Sequence, residues 1–169
     1  MKGAGGSDKP ASGKRFDPLT IFSFKLVFDK GVGLEDAEAY FQSIGGIKYE
    51  SEVISYKEGG LNNSTHQLVG PGKWPNLVLK KGFTAGPSFA LLEWRMKWMS
   101  DDPKIKLERA SGRVIQLGSR PDIEVCSWRF VNGWPCVWEG PEYDATRSEL
   151  AIETLEIAHE GLEFRGSGR

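Results

Sequence analysis

Large apolar side chains recur at every second position near the start of the patterned part of the chain. The residues that share this spacing are Phe22, Phe24, Leu26 and Phe28. Smaller or polar residues stand between them. Since successive side chains of a strand point to opposite faces of a sheet, this period of two predicts a β-strand with one buried face.

Short runs bounded by glycine, proline or asparagine predict several further strands. These runs cover residues 46–56, 66–69, 76–81, 113–117 and 123–131. Residues 58–63 form a turn-rich tip between the first two runs, which are therefore expected to pair as an exposed antiparallel hairpin. Gly70-Pro71-Gly72 is expected to break the returning strand of this hairpin.

The dipeptide Asn132-Gly133 is typical of a two-residue type I′ turn, which would join residues 123–131 to a strand at 134–139. With this turn, Cys126 and Cys136 lie on opposite faces of the sheet, so no disulfide between them is expected. Both faces of the resulting hairpin are rich in apolar residues. One face therefore needs cover from a helix, a second sheet or another subunit.

One helix is predicted, over residues 87–100. Pro87 suits the first helical turn, and Pro103 lies just beyond the end, where it cannot continue the helix. Leu91, Trp94 and Trp98 fall on one stripe at helical spacing. Such a stripe is typical of a helix that packs one face against a core.

Residues 150–160 fit two interpretations. Ala, Leu and Glu favour a helix. Leu150, Ile152 and Thr154, however, alternate with the residues between them as in a strand. The pattern alone leaves both structures open.

The composition is that of an ordinary globular domain. The chain has 169 residues, of which 27% are charged and 39% hydrophobic, and this length favours one domain. Residues 1–15 are rich in Gly, Ser, Lys and Pro and are expected to form a flexible arm. A single domain is expected at residues 16–165, followed by a disordered end at 166–169.

Charge and apolar content argue against several classes of protein. The formal net charge is -1, from 22 Lys and Arg against 23 Asp and Glu, which carries no electrostatic signature of nucleic acid or membrane binding. No apolar run approaches the roughly 20 residues that span a bilayer, and the N-terminus lacks the apolar segment of a secretory signal. Two cysteines without a C-x-x-C pair indicate neither a disulfide scaffold nor a zinc site, and fit a reducing cytoplasm.

No arrangement of residues indicates catalysis, a metal or a cofactor. His66 and His159 lie far apart in the sequence, and no third ligand is suggested. Glu153 and Glu156 would lie on opposite faces of one strand, unlike the paired carboxylates of a glycosidase. The sequence therefore predicts a protein that is not an enzyme.

The tryptophans admit a second interpretation. Trp134 and Trp138 could stack on the bases of single-stranded nucleic acid, but such a platform needs interleaved cations. Only Arg129 is nearby in the sequence, so core packing is favoured.

Several motifs together resemble those of the contractile-tail tube proteins, which are the inner tube subunits of myophage tails, tailocins and phage-tail-like contractile injection systems. They follow the order of that family over nearly all of residues 22–164. The motifs are FQSIGG at 41–46, YKEGG at 56–60, LKKG at 79–82, EWR at 93–95, NGWPCVWEGP at 132–141 and AIETLEIAHEGLE at 151–163. The chain departs from the family mainly in its long N-terminal arm and an extended loop at 29–40.

The resemblance implies a mainly β fold, in which two packed antiparallel sheets form a barrel-like subunit with one helix outside and residues 150–160 form a strand. Six subunits would form a ring, and the rings would stack into a hollow tube that a contracting sheath drives through a target envelope. The implied partners are further copies of the chain, the sheath, baseplate and cap proteins, and cargo or nucleic acid in the lumen. Assembly is expected in the cytoplasm, as part of a phage-tail-like particle that is released or attached to a membrane.

Particular residues then receive roles. The hairpin tip is expected to contact an adjacent ring or subunit through Tyr56, Lys57, Glu58, Gly59, Gly60, Leu61, Asn62 and Asn63. Packing within the core or between subunits is expected of Trp94, Trp98, Trp134, Trp138, Ile152, Leu155 and Ile157. Glu50 and Glu52 share one strand face and are assigned to the lumen. Two alternatives stay open, a monomeric barrel that binds a ligand or peptide and a ring-forming tube protein of type VI secretion.

Overall fold

The computed structural model describes residues 23–29, 34, 39–57, 59, 64–118, 123–143 and 150–166. These residues form ten strands and one helix. The strands are β1 (Ser23–Phe28), β2 (Ala39–Phe41), β3 (Ser43–Gly45), β4 (Glu50–Tyr56), β5 (His66–Lys73), β6 (Leu77–Gly82), β7 (Ala110–Leu117), β8 (Glu124–Glu139), β9 (Ile152–Ala158) and β10 (Gly161–Gly166). The helix α1 is Pro87–Met99. The predicted arm at residues 1–15 lies outside the described residues.

Eight strands form one sheet in the order β2-β1-β7-β8-β9-β6-β3, and β10 also pairs with β8. All of these pairs are antiparallel, so the prediction of a mainly β fold with one helix is confirmed. The prediction of a barrel is wrong, because the end strands β2 and β3 do not pair and the sheet does not close. Gln42 joins them along the chain instead, and its N–H donates to the carbonyl of Lys80 at 2.8 Å.

The long strand β8 belongs to two parts of this sheet. Its first half lies between β7 and β10, and its second half pairs with β9. Between the halves, Ala110 is opposite Gly133 and Gly112 is opposite Phe130, so two residues of β8 face Ser111 alone. Such a bulge bends a strand. The core lies between the two parts, since its buried residues come from β1, β7, β6 and β9 alike.

The predicted turn at Asn132-Gly133 is wrong, because β8 runs on through this point: Val131 and Asn132 are the bulged residues, and Gly133 pairs with Ala110. Asn132 has φ 52, whereas Gly133 is not among the residues with positive φ, and a type I′ turn requires positive φ at both positions. Two hydrogen bonds hold Asn132. Its N–H donates to Ser111 Oγ at 3.1 Å and its side-chain amide donates to Glu160 Oε2 at 2.7 Å.

The predicted break at Gly70-Pro71-Gly72 is also wrong, since β5 continues to Lys73. Ser51 is opposite Gly72 and Val53 is opposite Val69, so Gly70 and Pro71 together face Glu52. Proline is tolerated at such a bulge, where its missing N–H disrupts no ladder bond. The glycine and proline therefore reshape the strand without ending it.

Burial of one side of the helix and strand pairing of residues 152–158 decide how these two segments fold. Helix α1 covers the core with Leu91 and Trp94, and the ring of Phe28 meets Trp94 edge-on at 5.3 Å. Residues 152–158 form the strand β9, which lies between β6 and β8. Pairing on both sides outweighs the helix propensity of this segment, so the strand implied by the resemblance is confirmed.

Gly133→Ala is expected to lower the free energy of unfolding by about 1–3 kcal/mol, the usual cost of overpacking a core. A Cβ at this position would lie 2.8 Å from the ring of Phe130 and 2.9 Å from Ile157. Chemical denaturation measures the change. Gly161→Ala is the control, because a Cβ there meets nothing within 4 Å. Equal stability of the two variants would contradict the close packing described for Gly133.

Candidate assembly surface

The β4–β5 hairpin stands apart from the eight-stranded sheet. Among the described strands, β4 and β5 pair only with each other, and every residue of β4 is exposed. Val53 and Val69 lie directly opposite each other and are 61% and 86% exposed. The next pair, Ile54 and Leu68, is exposed as well.

Consecutive residues of a strand face opposite sides, so the two apolar pairs place hydrophobic groups on both faces of the hairpin. An isolated two-stranded hairpin is marginally stable in water and needs a third strand or other cover. Contiguous exposed apolar surface of this kind marks an interaction site. The hairpin is therefore the candidate surface for association with another chain.

The tip of this hairpin is described only in part. Tyr56, Lys57 and Gly59 are exposed. The remaining predicted contact residues, Glu58, Gly60, Leu61, Asn62 and Asn63, lie outside the described residues. The inter-ring contact thus stays a prediction.

The two residues assigned to a lumen lie at the base of the same hairpin. Glu50 forms an ion pair with Lys48 and is opposite Lys73. Glu52 is exposed, and its carbonyl faces the bulge at Gly70. Both carboxylates reach solvent, and their assignment to a lumen stays a prediction.

The edge of strand β10 is a second surface suited to association. One side of β10 pairs with β8, and no described strand pairs with its other side. Glu163, Phe164 and Arg165 are exposed along it. An unpaired strand edge presents free N–H and C=O groups that can accept a strand from another chain.

The predicted packing residues are found in three settings. Trp94, Leu155 and Ile157 are buried in the core. Trp98, Trp134 and Trp138 are partly buried, and the rings of Trp98 and Trp134 stack at 5.3 Å. Ile152 is 41% exposed.

The structure contains a buried polar network that the sequence analysis does not predict. Glu153 Oε1 accepts from Lys81 Nζ at 2.7 Å and from Ser88 Oγ at 2.6 Å, and its Oε2 accepts from Trp138 Nε1 at 3.0 Å. Lys81 also donates to Ser88 Oγ at 2.6 Å. We call this set the buried Glu153 network, and it ties β6, β8 and β9 to the first turn of α1.

The buried Glu153 network stabilises the fold. Ser88 beside a lysine has the residue types of a Ser–Lys nucleophile, but Ser88 has no exposed surface and Lys81 is held by the carboxylate. The alternation along the two strands does indicate that Lys81 and Glu153 are buried. Lys81 continues the alternating buried face of Leu77 and Leu79, and Glu153 shares the buried face of Leu155 and Ile157.

Thiol and metal chemistry find no support in the described part of the chain. Cys126 and Cys136 are both free, and burial, reinforced by a nearby glutamate in each case, raises the pKa of each thiol. No three His, Cys, Asp or Glu side chains there come together as metal ligands.

Among the described helices none is long and apolar enough to cross a membrane.

Comparison with known proteins finds a matching family model and solved structures of similar fold. A family model described as T4-like virus tail tube protein gp19 matches residues 20–163. No curated protein matches the chain by sequence.

Three solved structures share the fold. The PVC sheath–tube complex of an extracellular contractile injection system has a TM-score of 0.71 at 18% identity, over 89% of this chain and 93% of that one. The tube-terminating cap of the anti-feeding prophage has a TM-score of 0.73 at 18% identity, over 95% and 99%. A type six secretion system protein has a TM-score of 0.58 at 13% identity, over 85% and 82%.

Proposed function

Since this chain belongs to the T4-like virus tail tube protein family, we propose that it forms rings of six subunits that stack into a hollow inner tube. A surrounding sheath contracts and drives this tube through a target envelope, and cargo or nucleic acid passes along its lumen. The chain is assembled in the cytoplasm into a phage-tail-like particle. Its role is mechanical, as membership of a structural tube family implies.

One observation carries this proposal beyond the family assignment. The β4–β5 hairpin presents apolar pairs on both faces and has no cover within the described chain. A ring of identical subunits supplies that cover at every position, and a closed ring leaves no free sheet edge. We therefore assign the hairpin and the open edge of β10 to contacts between subunits.

The partners follow from the place of such a tube in the particle. The outer surface of the tube meets sheath subunits, and its two ends meet a baseplate and a cap. The similarity in fold to a subunit of a sheath–tube complex and to a tube-terminating cap supports this arrangement. Glu50 and Glu52 are proposed to face the lumen, where like charges would discourage cargo from sticking.

Changing the tip of the hairpin is expected to block stacking of rings while sparing the fold of the monomer. The variant Glu58→Lys with Gly60→Val reverses the charge and removes the conformational freedom of the turn. Electron microscopy would then show single rings in place of tubes, with unchanged thermal denaturation. Asp101→Lys, an exposed acid beyond α1, is the control. Tubes of normal length from the tip variant would refute the contact assigned to the tip.

Two alternatives make different predictions. A monomeric barrel that binds a ligand or peptide would stay monomeric at high concentration, and sedimentation measures this directly. A tube ring protein of the type VI secretion kind would also form rings, but the similarity in fold to a type six secretion system protein is weaker than that to the injection-system complex, with TM-scores of 0.58 and 0.71. The sheet does not close, which argues against the barrel of the first alternative, and the apolar faces of the β4–β5 hairpin favour an assembling chain over a monomer.

A further inference from the structure

Two short segments of chain connect the β4–β5 hairpin to the body of the protein, residues 46–49 and 74–76. They run side by side. Gly46 has φ 83, and a Cβ there would overlap the backbone of Asn76. Because no strand pairing within the described residues links the hairpin to the eight-stranded sheet, its direction depends on these segments and on the residues that they contact.

Aromatic rings join the two segments. The rings of Tyr49 and Trp74 lie 4.5 Å apart, tilted by 37°. Tyr49 also covers Gly72, where any side chain would overlap its ring. This stack closes the base of the hairpin at the point where β4 begins and β5 ends.

One side chain of the main sheet meets this stack. His159 lies at the corner between β9 and β10, and its ring centre is 6.2 Å from that of Trp74. Its Nε2 lies 3.1 Å from the carbonyl oxygen of Pro75; because a carbonyl only accepts, Nε2 carries the proton and donates. Next to it, the side-chain amide of Asn76 donates to Glu156 Oε2 and to Cys136 Sγ, each at 3.3 Å.

We propose that Tyr49, Trp74 and His159 form an aromatic joint that sets the direction of the β4–β5 hairpin for assembly. This inference rests on the proposed function, since it concerns how the hairpin reaches a neighbouring subunit. The three residues are positioning residues. They hold the hairpin at one angle to the main sheet, so that its apolar faces meet the next subunit without a search over orientations, which lowers the entropic cost of association.

The joint is sensitive to pH through His159. Burial lowers the pKa of His159, and backbone contacts with Pro75 and Gly161 oppose this in part. The neighbouring charged and titratable groups are engaged elsewhere: Glu156 with Asn76, Glu160 with Arg109 and Asn132, and Cys136 with the carbonyl of Glu156. Because burial disfavours the charged imidazolium, the neutral ring is the form that fits the joint.

The direction of the pH effect follows. A histidine with a lowered pKa stabilises the folded contact fully above its ordinary pKa of about 6.5 and loses this contribution as the pH falls through the folded value. Acidification should therefore loosen the joint.

The test measures the angle of the hairpin within one chain. Spin labels at Ser55 on β4 and at Lys104 beyond α1, both exposed, report one intramolecular distance. Both native cysteines are replaced by serine, whose hydroxyl can take the place of the thiol in the hydrogen bond of Cys126 to Gln116 and in those of Cys136 with Asn76 and Glu156. Labelled full-length chain is diluted with unlabelled chain, so the distance is read whether or not tubes form.

At about pH 7.5, the parent protein is expected to give one narrow distance, whereas His159→Ala and Trp74→Ala give broad distributions. Phe89→Ala, which removes an exposed ring of α1, is the control and stays narrow. Acidification to about pH 5 broadens the distribution of the parent protein. His159→Phe keeps a ring against Trp74 but cannot titrate, so its distribution stays the same at both pH values.

Narrow distributions from both alanine variants would overturn the joint. Equal broadening of the parent and of His159→Phe on acidification would overturn the role of His159 in the pH effect. Absence of tubes together with a narrow parental distance would count against the proposed function alone, because the joint would then exist without an assembly to serve.

Discussion

Replacing Glu153 by leucine lowers the free energy of unfolding by about 3–5 kcal/mol, because the substitution leaves the ammonium of Lys81 buried without a counter-charge. Lys81 and Glu153 are 3% and 2% exposed, and their charged atoms are 2.7 Å apart. The same substitution removes the acceptor of Ser88 and of Trp138. Chemical denaturation of the single variant measures the loss.

The decisive comparison adds Lys81→Met to Glu153→Leu. Removing the stranded cation is expected to raise stability above that of the single variant, since a buried ion pair replaced by apolar groups of similar volume is often near neutral. Glu93→Leu on the exposed side of α1 is the control and should change stability by less than about 1 kcal/mol. The Lys81→Met variant is measured alone as well. If the double variant loses as much free energy of unfolding as the two single variants lose together, the two residues act independently.

The second large effect concerns assembly. Val53→Glu combined with Val69→Lys is expected to abolish rings and tubes, because it removes the apolar pair on one face of the hairpin. The two residues are directly opposite each other, so the introduced charges can pair across the strands and preserve the hairpin. Size-exclusion chromatography and electron microscopy measure the loss of assembly.

The fold of this variant should survive, since both positions are exposed and surface changes usually alter stability by about 0.5 kcal/mol or less. The matched control is Met96→Glu with Met99→Lys, which removes similarly exposed apolar side chains from α1. Normal rings from the control and none from the hairpin variant would locate the contact. Equal assembly of both would place it elsewhere.

Elements with a clear period could be predicted from the sequence. The alternation at Phe24, Leu26 and Phe28 corresponds to β1, and Pro87 begins α1 as expected. The exposed hairpin is likewise predictable, since the runs at residues 46–56 and 66–69 flank a turn-rich tip. In each case the signal is local, and local geometry decides the structure.

Features that depend on distant residues could not be predicted in this way. Asn132-Gly133 is typical of a turn, but hydrogen bonds to Ser111 and Glu160, which are remote in sequence, hold Asn132 in a bulge of β8. Lys81 and Glu153 each stand at a buried position of an alternating strand, so the pattern itself indicates their burial. That β6 and β9 lie side by side, however, is set only by the complete sheet.

Cryo-electron microscopy of the purified full-length chain at high concentration would show whether it assembles as proposed. We expect rings of six that stack into hollow tubes, with the β4–β5 hairpin of each subunit packed against a neighbour. Because such tubes can require nucleation, the same measurement is made after adding baseplates from contractile particles. Monomers in both samples, or rings in which the hairpin projects into solvent without touching another subunit, would contradict the proposed assembly.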